Sequence, residues 1–160
     1  MSTLKQLAII FALLALAVVV GASLYQSVID APNFNANLPD SLEHYRQFMS
    51  VKNPGDYFRI VAPAAQVLVL LSLILNWKNS PRWWLLAALA LIVGADVITF
   101  TIHYPRNAMM FTAPLTVPVD VLKKAAAEWM FWNHVRVALV LGSTLCTIKA
   151  LLLVDDRKMA

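Results

Sequence analysis

Two sets of polar residues stand inside otherwise apolar stretches, and their spacing is the chemical content of this chain. Asp96, Thr99 and His103 recur at intervals that put all three on one helical face. Trp129, Asn133, Arg136, Ser143 and Thr147 make a second stripe at three- and four-residue spacing. A carboxylate, an imidazole and a guanidinium at similar depth could remove a proton from a ligand and stabilise the anion left behind. The same groups could instead pair only to fix helix register, and an ion pair between Asp96 and Arg136 is expected in either case.

The helices that carry these stripes must lie in lipid. With 60% hydrophobic and 14% charged residues and a mean hydropathy of +0.67, 160 residues hold more apolar surface than a soluble domain of this length can bury. The apolar residues form blocks at about 6–29, 60–77, 83–103 and 131–154, each near the roughly 20 residues that cross about 30 Å of hydrocarbon. An ionisable group near the centre of such a helix costs about 2.5–3.5 kcal/mol on insertion scales, so Asp96 and Arg136 need a partner or a purpose. The reading is all-α: a single integral membrane domain, 1–160, built as a four-transmembrane-helix bundle. Gly21, Ala22 and Ser23 could belong to a cleavage site, but the uncharged run that continues to Ile29 favours a first spanning helix.

Punctuation between the blocks is informative. Ser80-Pro81 reads as an N-cap and first helical residue. Asp40-Ser41-Leu42-Glu43 resembles a capping box and predicts a short amphipathic helix in the first outer segment, ending at the turn signal Asn53-Pro54-Gly55. Pro105, Pro114 and Pro118 predict an extended or turned second outer segment until Val119, after which nothing breaks a helix before Val154. Lys78 and Arg82 lie without an acid in the connection 77–83, and Lys5, Arg157 and Lys158 lie near the termini. They predict cytoplasmic termini in a plasma (inner) membrane, multi-pass topology.

Other signals mark boundaries on function. The net charge of +4 is scattered at block ends, which suits the lipid bilayer as partner and argues against nucleic acid. Cys146 is the one cysteine and reads as packing. His44, His103 and His134 share the outer half, but His134 is rotated roughly 160° from Arg136 at about 100° per residue, and no ligand pair has metal spacing on one helix. No metal is assigned and no cofactor is implied, with haem or a metal ion as the lesser alternative. Gly21 and Gly94 suggest close helix approach. Tyr25 and Gln26 could extend a pocket from helix one, Gln66 and Asn76 suit helix-to-helix bonds, and Met109-Met110-Phe111 reads as buried apolar loop.

The chain resembles the anthrone oxygenase-like family of small four-helix membrane proteins. The resemblance rests on Gly21, Tyr45 in a long outer segment, Pro105-Arg106-Asn107, and Trp129-x-x-x-Asn133-x-x-Arg136. It implies a four-helix bundle and, by analogy with some fungal members, oxidation of anthrones to anthraquinones. It places Asn107, Trp129, Asn133 and Arg136 around a site, to which burial cost adds Asp96 and His103. The expectation is then an oxygenase-like enzyme acting on a lipophilic aromatic, polyketide-type or quinol-like molecule in an outer-leaflet pocket. Asp96, His103 and Arg136 would be catalytic, and Asn107, Trp129, Asn133, Tyr25 and Tyr45 would bind substrate. The alternatives are a non-catalytic binding or transport component, or a structural subunit of a membrane complex, and a homo-oligomer is compatible with each.

Overall fold

A computed structural model describes residues 2–112 and 116–155. Pro114, Arg157 and Lys158 lie outside the described residues. The described chain is helical, with no strand. Helix α1 (Ser2–Tyr25) runs through a π-helical segment (Gln26–Asp30) into α2 (Ala31–Asn35), and α3 (Asp40–Phe48) and α4 (Pro54–Asn76) come next. Helix α5 (Arg82–Ile98) runs through a second π segment (Thr99–His103) into α6 (Tyr104–Phe111), and α7 (Val119–Asp155) closes the fold. Four helical stretches are long and apolar enough to cross a membrane, Thr3–Asn35, Pro54–Asn76, Arg82–Phe111 and Val119–Val154. Helices satisfy their own backbone polar groups, which hydrocarbon cannot do. The protein is therefore a multi-pass membrane protein embedded in lipid.

The four long helices form a ring in which α1 packs on α4 and α7, and α5 packs on α7 and, less extensively, on α4. The mid-bundle core joins Leu16, Val19, Ala65, Val69, Ile92 and Val140. At the end nearest the termini a second cluster gathers Ile9, Leu73, Leu85 and Ala150. Exposed Trp77, Trp83 and Trp84 sit there too, as amphipathic rings do at headgroup level. At the far end of the bundle, away from the termini, Phe34, Leu42, Met110, Leu122 and Trp129 form a cap built from α2, α3, α6 and the start of α7. Helix α7, at about 1.5 Å per residue, is roughly 55 Å long and projects past the hydrocarbon into this cap.

Several expectations are corrected. Pro105 does not open an extended segment, because a π turn precedes it: Tyr104 N–H bonds to Thr99 O, five residues back, and the helix continues to Phe111. The same device precedes Pro32, where Ala31 N–H bonds to Gln26 O and carries the first helix on to Asn35. The wider turn spares the proline ring its clash with the preceding helical carbonyl. Met109-Met110-Phe111 is consequently helical, with Met110 buried.

The amphipathic helix of the first outer segment is α3, but Asp40 is inside it and no side chain caps it. Ser41 Oγ is engaged with Phe34 O at 2.8 Å. The capping box is instead at Asn53, whose Oδ1 accepts from Asp56 N–H at 3.3 Å while its own N–H donates to Asp56 Oδ2 at 3.1 Å. Helix α5 starts at Arg82 with Pro81 in the cap position, one residue later than the Ser80 reading. Gly21 meets nothing within 4 Å of an added Cβ, so it mediates no close approach; between spanning helices Gly94 comes to 3.7 Å from Leu139 Cδ1 and Gly142 to 3.3 Å from Leu91 Cδ1.

Removing the cap with Asn53→Ala is expected to lower stability by about 1 kcal/mol, read as an earlier midpoint in detergent-denaturation titrations, whereas Asn53→Asp should hold the wild-type midpoint.

Candidate functional site

Between the mid-bundle core and the far-end cap lies a cavity of about 850 Å³. Its apolar floor is Val19, Ile92 and Val140, and its far wall includes Phe34, Tyr45, Phe111 and Trp129. Both π segments contribute, the first through Gln26 and the second through Thr99, Phe100 and His103. An inserted residue rotates the downstream helix by about 100° relative to a continuous α-helix, so these turns re-aim polar side chains without ending the span.

Arg136 lines the cavity from α7. Its Nη2 donates to Gln26 Oε1 at 2.9 Å and to Asn133 Oδ1 at 2.7 Å, and its guanidinium carbon lies 5.3 Å from the centre of the Phe58 ring. Asn133, 1% exposed, donates in turn to Ser27 Oγ at 2.6 Å. It is thus a brace behind Arg136 and not part of the cavity wall. Arg136 Nε is buried with no hydrogen-bond partner.

The expected ion pair with Asp96 is not formed. The ion pairs among the described residues are Arg46–Glu43, Arg59–Asp56 and Arg106–Glu128. Asp96 lines the same cavity and accepts a hydrogen bond from Gln66 Nε2 of α4. Each charge has found a nearer amide partner, and both line the same cavity.

His103 is 1% exposed, lines the cavity, and has neither ring nitrogen hydrogen-bonded. Its ring meets Trp129 edge-on, with centroids 5.0 Å apart. Trp129 is held by its indole N–H donating to Asn107 Oδ1 at 2.8 Å and by an edge contact with Phe34 at 5.4 Å. The Arg106–Glu128 pair, at 2.6 Å, clamps α6 to α7 beside them. Asn107 and Trp129 therefore face the cavity as one bonded unit.

Tyr45 also lines the cavity, packed 5.4 Å from Phe34 and 6.0 Å from Phe111. Burial, and then the nearby Asp30 carboxylate to which its hydroxyl bonds, push the phenol well above its ordinary range. The hydroxyl thus stays protonated. Asp30 is buried at the end of the first π segment, and nothing in the sequence flagged it because it sits just past the apolar block as an ordinary boundary residue. Phe34, Phe58 and Ser27 were likewise missed, being indistinguishable by type from packing residues. Tyr25 is 60% exposed and outside the cavity wall, and its neighbour Gln26 occupies the inward position.

His44 and His134 are exposed and do not join His103. Among the described residues no three His, Cys, Asp or Glu side chains converge as a metal site would require. Ser143 and Thr147 continue the α7 stripe away from the cavity and bond to backbone, Ser143 Oγ to Ala88 O at 2.9 Å and Thr147 Oγ1 to Ser143 O at 2.8 Å. That half of the stripe is structural.

The anthrone oxygenase family model matches residues 48–146. No curated protein and no solved structure matches the chain. The matched span contains Asp96, His103, Asn107, Trp129, Asn133 and Arg136, while Gln26 and Tyr45 precede it. With more than half of its length accounted for, the chain belongs to the anthrone oxygenase family.

Proposed function

We propose that the protein is an oxygenase-like enzyme that deprotonates a lipophilic aromatic molecule, of the anthrone or hydroquinone kind, inside the membrane-embedded cavity. The observation that carries this reading is His103: a buried imidazole with both nitrogens unbonded, facing a cavity that also exposes the Arg136 guanidinium. A buried polar group without a partner costs on the order of 1–3 kcal/mol unless a ligand supplies one.

His103 is the favoured base, since both of its ring nitrogens lack a partner, whereas one oxygen of the Asp96 carboxylate accepts from Gln66. For an anthrone-like methylene, His103 accepts one C–H proton and the electron pair delocalises onto the ring oxygen, which Arg136 stabilises. Dioxygen takes the electrons and adds at the same carbon as a hydroperoxide. Loss of the second C–H proton with O–O cleavage gives the carbonyl, and the departing hydroxide is protonated to water. The sum is CH2 plus O2 giving C=O plus H2O. Trp129, fixed by Asn107, offers a flat wall for the ring system, and the Tyr45 ring, packed on Phe34 and Phe111, adds an aromatic face to the same cavity.

We further infer that the termini are cytoplasmic in a plasma membrane, which puts the cavity in the outer leaflet. Lys5, Lys78 and Arg82 cluster at the terminal end. The far end carries Arg46, Lys52, Arg59, Arg106, Lys123 and Lys124, of which the three arginines pair with carboxylates, so the inference rests on the short acid-free connection 77–83.

Oxygen uptake by the reconstituted protein with an anthrone or hydroquinone should fall about 100-fold or more in His103→Gln and in Arg136→Gln, while Tyr25→Phe stays at wild type; no uptake with any such substrate would overturn the reading. In intact cells a membrane-impermeant maleimide should label Ser50→Cys and not Lys78→Cys, and the opposite pattern would reverse the orientation.

A further inference from the structure

The ring of helices is unevenly closed. Helix α4 packs extensively on α1 and more sparsely on α5, and toward the far end α5 gives way to the second π segment and α6. Those two pack on α7, with no substantial packing on α4. The α4/α5 seam is tied by the Gln66–Asp96 hydrogen bond. Beyond that tie the cavity wall is formed by Ala62 and Pro63 on one side and by Phe100 and Tyr104 on the other.

These wall residues also face outward. Phe100 is 59% exposed and Tyr104 45% exposed, and Pro63 is exposed as well. Phe100 and Tyr104 form an edge-to-face pair with centroids 5.2 Å apart. At about 1.5 Å per residue, Phe100 lies roughly 27 Å along its helix from Arg82, and Pro63 roughly 20 Å from Asn76. Both depths fall within the approximately 30 Å of hydrocarbon. At this depth Phe100 and Pro63, which line the cavity and are exposed, form a wall one side chain thick between the cavity and the lipid-facing surface.

We propose that the cavity is loaded sideways from the membrane, through the α4/α5 seam beyond Gln66–Asp96, by a flat lipophilic weak acid dissolved in the far-end leaflet. The proposed function supplies only the identity of the ligand; the opening itself rests on the packing. The lips are apolar and aromatic, suited to a planar ring system leaving lipid, and the first strongly polar groups it would meet are Asp96 and then Arg136. The rim of the cavity at Glu43, Arg46 and Asn53 is polar and suits the exchange of water and protons.

The test uses the protein in lipid nanodiscs and 1,8-dihydroxyanthraquinone as probe, tracked by its absorbance after rapid mixing with preloaded vesicles. Ala62→Trp, which narrows the seam, should slow association and release together by about 10-fold while Kd stays within about threefold, as a gate acts on both rates equally. Ser50→Trp, at the polar rim, should leave both rates unchanged. Unaltered rates in Ala62→Trp, or slowing confined to Ser50→Trp, would overturn the proposal in favour of entry from water. A ligand-free arm separates this from the enzymatic reading: a nitroxide on Thr99→Cys in a Cys146→Ala background should collide more with membrane-dissolved oxygen than with a water-soluble nickel chelate. The reverse ranking would sink the lateral opening even if the probe binds; a wild type that ignores the probe but keeps the predicted ranking would instead count against the proposed ligand class.

Discussion

A guanidinium held among lipid-embedded helices is the constraint around which the rest of this molecule is arranged. Arg136 forms no ion pair among the described residues. Its partners are neutral amides, an aromatic face and a cavity. A cation at such depth is expensive, and a nearby carboxylate would be the simplest compensation. Here the available carboxylate, Asp96, is turned to Gln66 instead. The guanidinium is left lining the cavity without a paired carboxylate, the arrangement on which the proposed function rests.

The two π turns make this arrangement compatible with continuous spans. Each precedes a proline, each adds a residue to a turn, and each brings polar side chains of its segment to the cavity or its supports. Gln26 and Ser27 brace Arg136 and Asn133 from the first, and His103 comes from the second. The cap of α2, α3 and α6 then supplies the aromatic wall, with Phe34 touching Tyr45, Phe111 and Trp129. Local backbone irregularity, aromatic packing and charge placement thus converge on one volume.

Much of this was legible in the residues, and the remainder was hidden for identifiable reasons. Lipid leaves little freedom to an apolar block of spanning length, so the four helices could be read from hydropathy, and the cost of burying charge singled out Asp96 and Arg136. The family resemblance was carried by Trp129, Asn133 and Arg136 at helical spacing, which helix α7 presents inward. The partner of each charge was not legible, because it depends on how neighbouring helices are rotated, and one inserted residue at Gln26–Asp30 changes that rotation. Pro32 and Pro105 were misleading because each follows a π segment and sits at the start of a new helical stretch, where proline loses no intrahelical hydrogen bond. Asp30 escaped notice because a boundary acid has no distinctive spacing.

The proposed function requires that Arg136 stabilise an anion bound in the membrane-embedded cavity. The most direct measurement is the absorption spectrum of a phenolic anthrone bound to the reconstituted protein across a pH titration. If the claim holds, the bound molecule ionises at least about 2 pH units below its value in protein-free lipid, and Arg136→Gln abolishes that displacement; each unit corresponds to about 1.4 kcal/mol of preference for the anion. A bound molecule that ionises no more easily than it does in lipid alone would contradict the account.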